Sequence, residues 1–129
     1  VGSFLVKHLR INWKEGEKHF RNCLLDFNEA NNVAQWQWVA GCGADAAPYF
    51  RIFNPILQGE KFDKQGLYVK KWVPELERVP NKFIHKPWEM ETKYQEAIKT
   101  KIGSDYPSPI VVHEEARNAA LKAFQTLKN

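Results

Sequence analysis

The sequence predicts an all-α fold, and three observations predict it. Apolar residues recur at spacings of three and four in several segments, ending with Ala116, Ala120, Phe124 and Leu127. No run alternates apolar and polar residues as a half-buried strand would. Glycines, prolines and asparagines fall between the periodic segments, where caps and turns need them. With 129 residues, 43% of them hydrophobic, the chain can bury a core as one domain, and wholesale disorder is excluded.

The elements follow in order. Phe4-Leu5-Val6-Lys7-His8-Leu9 reads as the end of an amphipathic helix over 3–10. From this opening, and from a first residue that is Val1 rather than Met, a piece of a longer polypeptide is expected. Asn12-Trp13-Lys14-Glu15 resembles a capping box and opens a helix to about Leu25. Its core stripe is expected at Phe20, Cys23, Leu24 and Phe27. A second helix is expected from Asn28 or Glu29 to about Gly41, with Gly41 and Gly43 marking its end. Residues 44–61 hold two prolines, Asn54 and Gly59, and read as a long ordered loop with at most a turn of helix. Tyr49, Phe50, Ile52 and Phe53 would fasten that loop to the core. A helix over 64–72 is expected to point Tyr68, Val69 and Trp72 inward and to stop at Pro74, with one short turn at 75–78. An irregular stretch over 79–88, a helix near 89–101, a rigid break at Tyr106-Pro107-Ser108-Pro109 and a last helix over 113–127 complete the chain.

Composition narrows the function classes. A net charge of +4 permits an acidic partner without demanding one, and no block of like charge marks a disordered arm. Cys23 and Cys42 fit neither a zinc pattern nor a disulfide framework. Both are expected to be small buried hydrophobes of a protein in the reducing cytoplasm. His8, His19, His85 and His113 are scattered, so nothing supports a metal site. No apolar run is long enough to span a membrane, and no secretory signal is present. Neither a glycine-rich phosphate loop nor a nucleophile triad stands out.

The chemistry concentrates in Leu24–Trp38, which packs a carboxylate, several amides and two tryptophans into one short stretch. On a helix Asn28, Asn32 and Trp36 fall at i, i+4 and i+8, on one stripe. Two amides and an indole there suit a flat heteroaromatic ligand with hydrogen bonds at its edge. The plainer alternative makes Asn28 an N-cap, Asn32 a solvated residue and Trp36 core.

Asn12-Trp13-Lys14-Glu15-Gly16, the block from Asp26 to Trp38, Asp45-Ala46-Ala47-Pro48-Tyr49-Phe50-Arg51-Ile52-Phe53-Asn54-Pro55, Lys61-Phe62-Asp63 and Trp72-Val73-Pro74-Glu75-Leu76 occur in an order and spacing that covers nearly the whole chain. Together they resemble the C-terminal part of the flavin domain of the DNA photolyase and cryptochrome family. Within it the resemblance is to bacterial class I enzymes acting on cyclobutane pyrimidine dimers. It implies that residues 1–129 are a C-terminal fragment of a helical FAD-binding domain. An N-terminal α/β antenna domain, whose pigment this sequence cannot name, and the first part of the flavin domain would lie upstream. It also implies light-dependent repair of DNA containing pyrimidine dimers. Excited reduced flavin would pass an electron to the flipped-out dimer, the ring would split and the electron would return. Members are monomers without a membrane partner, and an isolated fragment is expected to bind FAD poorly.

The same resemblance assigns roles. Asn32 would face N5 of the flavin, where a neutral amide both donates and accepts. Asp26 would sit at the edge of the flavin ring, its arginine partner lying upstream, and burial without that partner would be costly. Asn28 departs from the aspartate of many members but can still accept from the flavin N3–H. Trp36 and Trp13 match the inner and middle members of a tryptophan relay that carries electrons to the excited flavin. Trp38 would wall the pocket for the extruded lesion. Arg51, and less specifically Lys61, would neutralise DNA phosphates. A cryptochrome-type photoreceptor on the same fold, a cofactor-free helical DNA-binding module and an inactive split product remain as alternatives.

Overall fold

Three helices begin on an asparagine. The structure is a computed structural model that describes residues 1–42 and 51–128. Asn12 accepts from the Lys14 N–H at 3.0 Å and opens helix α1 (Trp13–Cys23). Asn28 accepts from the Asn31 N–H at 3.0 Å and opens α2 (Glu29–Ala40). Asn54 accepts from the N–H groups of Ile56 and Leu57 and opens α3 (Pro55–Phe62), with Pro55 at the first helical position. Each cap satisfies amide donors that a helix N-terminus leaves without partners. The end of α2 is equally defined. Gly41 takes φ 78°, its N–H donates to the Trp38 carbonyl, and the Cys42 N–H reaches back to Gln37. This is the Schellman arrangement, and it needs a left-handed residue where glycine stands.

The remaining helices among the described residues are α4 (Leu67–Trp72), α5 (Thr92–Ala97) and α6 (His113–Lys128). Residues Phe4–His8 form a π-helical turn, and Pro74–Leu76 and Pro87–Glu89 form 3₁₀ turns. Among the described residues there is no strand, only an isolated bridge between Ile102 and Tyr106. The fold is all-α, as the periodicity predicts.

The chain divides into two compact units. The first is Val1–Phe53 with Val111–Asn129. In it α1 packs on α2, and the π-helical turn is tied to α6 through His8 Nε2 and His113 Nδ1, 2.7 Å apart. Phe4 stacks on the His8 ring, and Ala120 is buried on α6. The second unit is Asn54–Ile110. Its core is Leu76, Val79, Ile84 and Met90, with Val69, Val73, Phe83 and Ile98 packed against them. The Asp63 carboxylate accepts from the N–H groups of Tyr68 and Val69, and Lys86 pairs with Glu60 at 3.0 Å.

Several expectations are corrected. The stretch read as loop over 44–61 contains α3, because Asn54-Pro55 is a helix start; Tyr49 and Phe50 lie outside the described residues. The inward stripe of α1 is Trp13, Gly16, Glu17 and Phe20, at i, i+3, i+4 and i+7. Cys23 and Leu24 at its end are exposed, and so is Cys42, so neither cysteine is a buried hydrophobe. Tyr68 and Trp72 are 68% and 63% exposed rather than inward. On the short α4 only Val69 reaches the core. The helix expected near 89–101 shrinks to α5, with Lys99 at φ 56° just beyond it.

Candidate functional site

The site is built where α1 and α2 face each other. Trp36 is 4% exposed, and its indole meets the Phe20 ring edge-on at 5.1 Å and 76°. Four residues earlier on α2, Asn32 is also buried. Its Nδ2 lies 3.0 Å from the Glu17 carbonyl and 3.3 Å from Glu17 Oε1. Both facing atoms are acceptors, so the NH₂ end of the amide must point to α1. The amide oxygen is what Asn32 has left to offer a ligand. Glu17 is held in turn by Arg21, which donates through Nε at 3.1 Å and Nη2 at 2.7 Å. The hydrogen bond and charge of Glu17, with a smaller contribution from Glu29, raise the Arg21 pKa further.

Beside this pair opens a cleft of about 370 Å³. Asp26, Asn28, Asn32 and Trp36 all line it, with Phe20 and Val39 among the apolar walls. The structure thus brings together every residue that the resemblance assigns to cofactor contact. The volume falls in the range of small-molecule pockets, and a few polar groups against apolar walls is their usual composition. Asn28 is both the N-cap of α2 and a cleft residue. Asp26 is exposed, so the burial cost foreseen for it does not arise here. Asn32 presents an acceptor rather than both functions, because Glu17 occupies its donor side.

The other assigned residues stand apart from the cleft lining. Trp13 is half-buried on the inward face of α1. Trp38, two residues beyond Trp36, turns to another face of α2 and is 43% exposed. Arg51 is exposed; its guanidinium lies 4.5 Å from the Phe53 ring centroid, and its carbonyl accepts from Lys7 Nζ. Burial, and then the Arg51 charge, push the Lys7 pKa down. Lys61 is exposed in the second unit, with Nζ 5.2 Å from the Phe62 ring. Sequence reasoning missed Glu17 and Gly16. Their signal is the spacing Trp13-Gly16-Glu17-Phe20, which outranks the more apolar stripe that begins at Phe20.

Among the described residues no group of three or more His, Cys, Asp or Glu side chains is placed to hold a metal, and no helix is long and apolar enough to cross a membrane.

Comparison with known proteins gives a concordant result. The family model described as the FAD binding domain of DNA photolyase matches residues 1–126. The deoxyribodipyrimidine photo-lyase of Agrobacterium fabrum is 56% identical over 99% of this chain and 27% of its own length. The crystal structure of a bacterial class III photolyase from Agrobacterium tumefaciens superposes with a TM-score of 0.91 at 55% identity, over 98% of this chain and 26% of that one. The structure of a Synechocystis cryptochrome matches with a TM-score of 0.86 at 38% identity, over 94% and 25%. The chain spans about a quarter of the length of these relatives.

Proposed function

Because the chain belongs to the family of FAD-binding domains of DNA photolyases, we propose that it carries part of the flavin and lesion sites of a light-dependent DNA repair enzyme. The observation that carries the proposal is the convergence of Asp26, Asn28, Asn32 and Trp36 on one cleft between apolar walls. That residue set fits a flavin ring. The indole and the Phe20 ring supply flat apolar surface, and the amides and carboxylate supply polar groups for its heteroatom edge. When bound, FAD supplies the light-driven electron transfer that splits a cyclobutane pyrimidine dimer.

The chain's own residues supply position and electrostatics. Asn32, its amide oriented by Glu17, offers an acceptor for a protonated N5. Asn28 keeps lone-pair capacity beyond its cap bond for an N3–H. Trp36, and Trp13 behind it, provide oxidisable rings for photoreduction. Trp38 offers an exposed flat face for an extruded base, and Arg51 and Lys61 carry exposed charge for DNA phosphates. The protein is proposed to work as a cytoplasmic monomer. The class I reading rests on Trp38, whereas a class III structure shares 55% identity, so the proposal stands on the dimer substrate rather than on the class.

A photoreceptor role is the second reading, favoured by the likeness to the Synechocystis cryptochrome. One experiment separates the two. The full-length protein, chemically reduced, is incubated with duplexes bearing one cyclobutane dimer or one (6-4) lesion, in blue light and in darkness. Light-dependent loss of the cyclobutane dimer alone is expected. Flavin bound without repair of either lesion would overturn the repair reading and favour the photoreceptor. Absence of flavin would favour the cofactor-free DNA-binding module.

A further inference from the structure

Gly16 lies within α1, where alanine would be the better helix former. What lies over it explains the glycine. A Cβ added at Gly16 would stand 2.2 Å from Cη2 of Trp36, 2.4 Å from Cζ3 and 2.7 Å from Cζ2. The benzo edge of the indole therefore rests directly on the α1 backbone. Gly2 meets the same edge more loosely, its added Cβ 3.6 Å from Cζ3, and Phe20 closes a further side. Trp13 precedes Gly16 by three residues and so shares its helix face. Gly16 is thus, with Phe20, where the face that carries Trp13 touches the ring of Trp36, and of the two it lies nearer to Trp13 along the helix.

We propose that Gly16 is a positioning residue for electron transfer between Trp13 and Trp36, its missing side chain setting how closely the Trp36 indole approaches the Trp13 face of α1. The inference rests on the relay reading of these two tryptophans. With flavin bound, Trp36 would give it one electron on illumination. One electron would then leave the Trp13 indole and fill the vacancy on Trp36, and an external thiol reductant would restore Trp13 through the outer member of the relay. Such transfer depends on near contact. An alanine at 16 would have to open the contact from 2.2 Å to at least 3.4 Å, moving a ring that is walled in by Phe20 and Gly2.

Two measurements on the full-length protein test this. The first uses flavin-free protein and compares thermal midpoints of Gly16→Ala, Trp36→Phe and the double variant. Gly16→Ala is expected to lower the midpoint strongly when Trp36 is present and little in the Trp36→Phe background, because phenylalanine lacks the benzo edge. Equal losses in both backgrounds would overturn the contact. If Gly16→Ala alone does not fold, recovery of folding in the double variant supports the proposal, and failure to recover overturns it. The second measures photoreduction per bound flavin under blue light with thiol. Gly16→Ala is expected to slow it severalfold, because electron transfer between two rings weakens as the gap between them widens. Repair after chemical reduction, again per bound flavin, should fall less. Unchanged photoreduction in the variant overturns the role of Gly16. A parent protein that repairs but does not photoreduce overturns the relay reading beneath it.

Discussion

Glu17 offers a test of how the site is held. Its side chain is only 10% exposed and serves two partners, Arg21 at 2.7 and 3.1 Å and Asn32 at 3.3 Å. Glu17→Ala removes both. Arg21 is half exposed, so its i, i+4 pair is screened by water and adds little. Asn32 loses one hydrogen bond, worth about 1 kcal/mol, but keeps the Glu17 backbone carbonyl at 3.0 Å and is not left without a partner. The one buried methylene that is lost, Cγ, adds about 0.8 kcal/mol. The expected cost is therefore about 2 kcal/mol, read as a shift of the urea midpoint with an unchanged denaturant slope. Glu17→Gln keeps the methylenes and an acceptor for Asn32, so it should cost less than half as much. Equal losses in the two variants would refute the reasoning, because the carboxylate charge rather than the Asn32 contact would then dominate. An alanine variant as stable as the parent would refute it more simply.

Other predictions follow from single features. Gly41→Ala should cost about 1 kcal/mol by urea titration, since φ 78° strains any residue with a Cβ although nothing crowds the site. His8 has its pKa pushed below 6.5 by burial first and by His113 second, against a backbone hydrogen bond at Ser3. The unfolded chain therefore takes up a proton below about pH 6.5 that the folded chain resists, and stability falls with pH until the folded pKa is passed. Thermal midpoints at pH 7.5 and 5.5 should differ more for the parent than for His8→Gln. Arg51→Ala should lower the slope of log affinity against log salt by about 0.9 for lesion-bearing duplex, with flavin content unchanged.

Much of the site was legible because its signals are local. The i, i+4, i+8 spacing of Asn28, Asn32 and Trp36 brings them close together, and all three line the cleft. The cap role of Asn28 and the stop at Gly41 were readable for the same reason. Less legible was what α1 contributes. Glu17 and Gly16 are neither apolar nor typical ligands, and their places are set by Asn32 and Trp36 reaching across from another helix. Apolar counting therefore slid the α1 stripe toward Cys23 and Leu24, which are exposed. The missed helix α3 has a different cause. Its start at Asn54-Pro55 was written in the sequence, but Gly59 and a nearby proline made the stretch read as loop. In α4 aromatic character is a poor guide to the inward face: Tyr68 and Trp72 are exposed, and Val69 is the residue of this six-residue helix that packs against the core.

We propose that the α1–α2 cleft holds the flavin through Asn32. The most direct measurement is flavin content and visible absorption of the full-length protein carrying Asn32→Asp. A carboxylate there would face the Glu17 carboxylate and carbonyl where the parent amide donates, so the account predicts lost flavin or a shifted visible band. Flavin content and spectrum identical to the parent would contradict it.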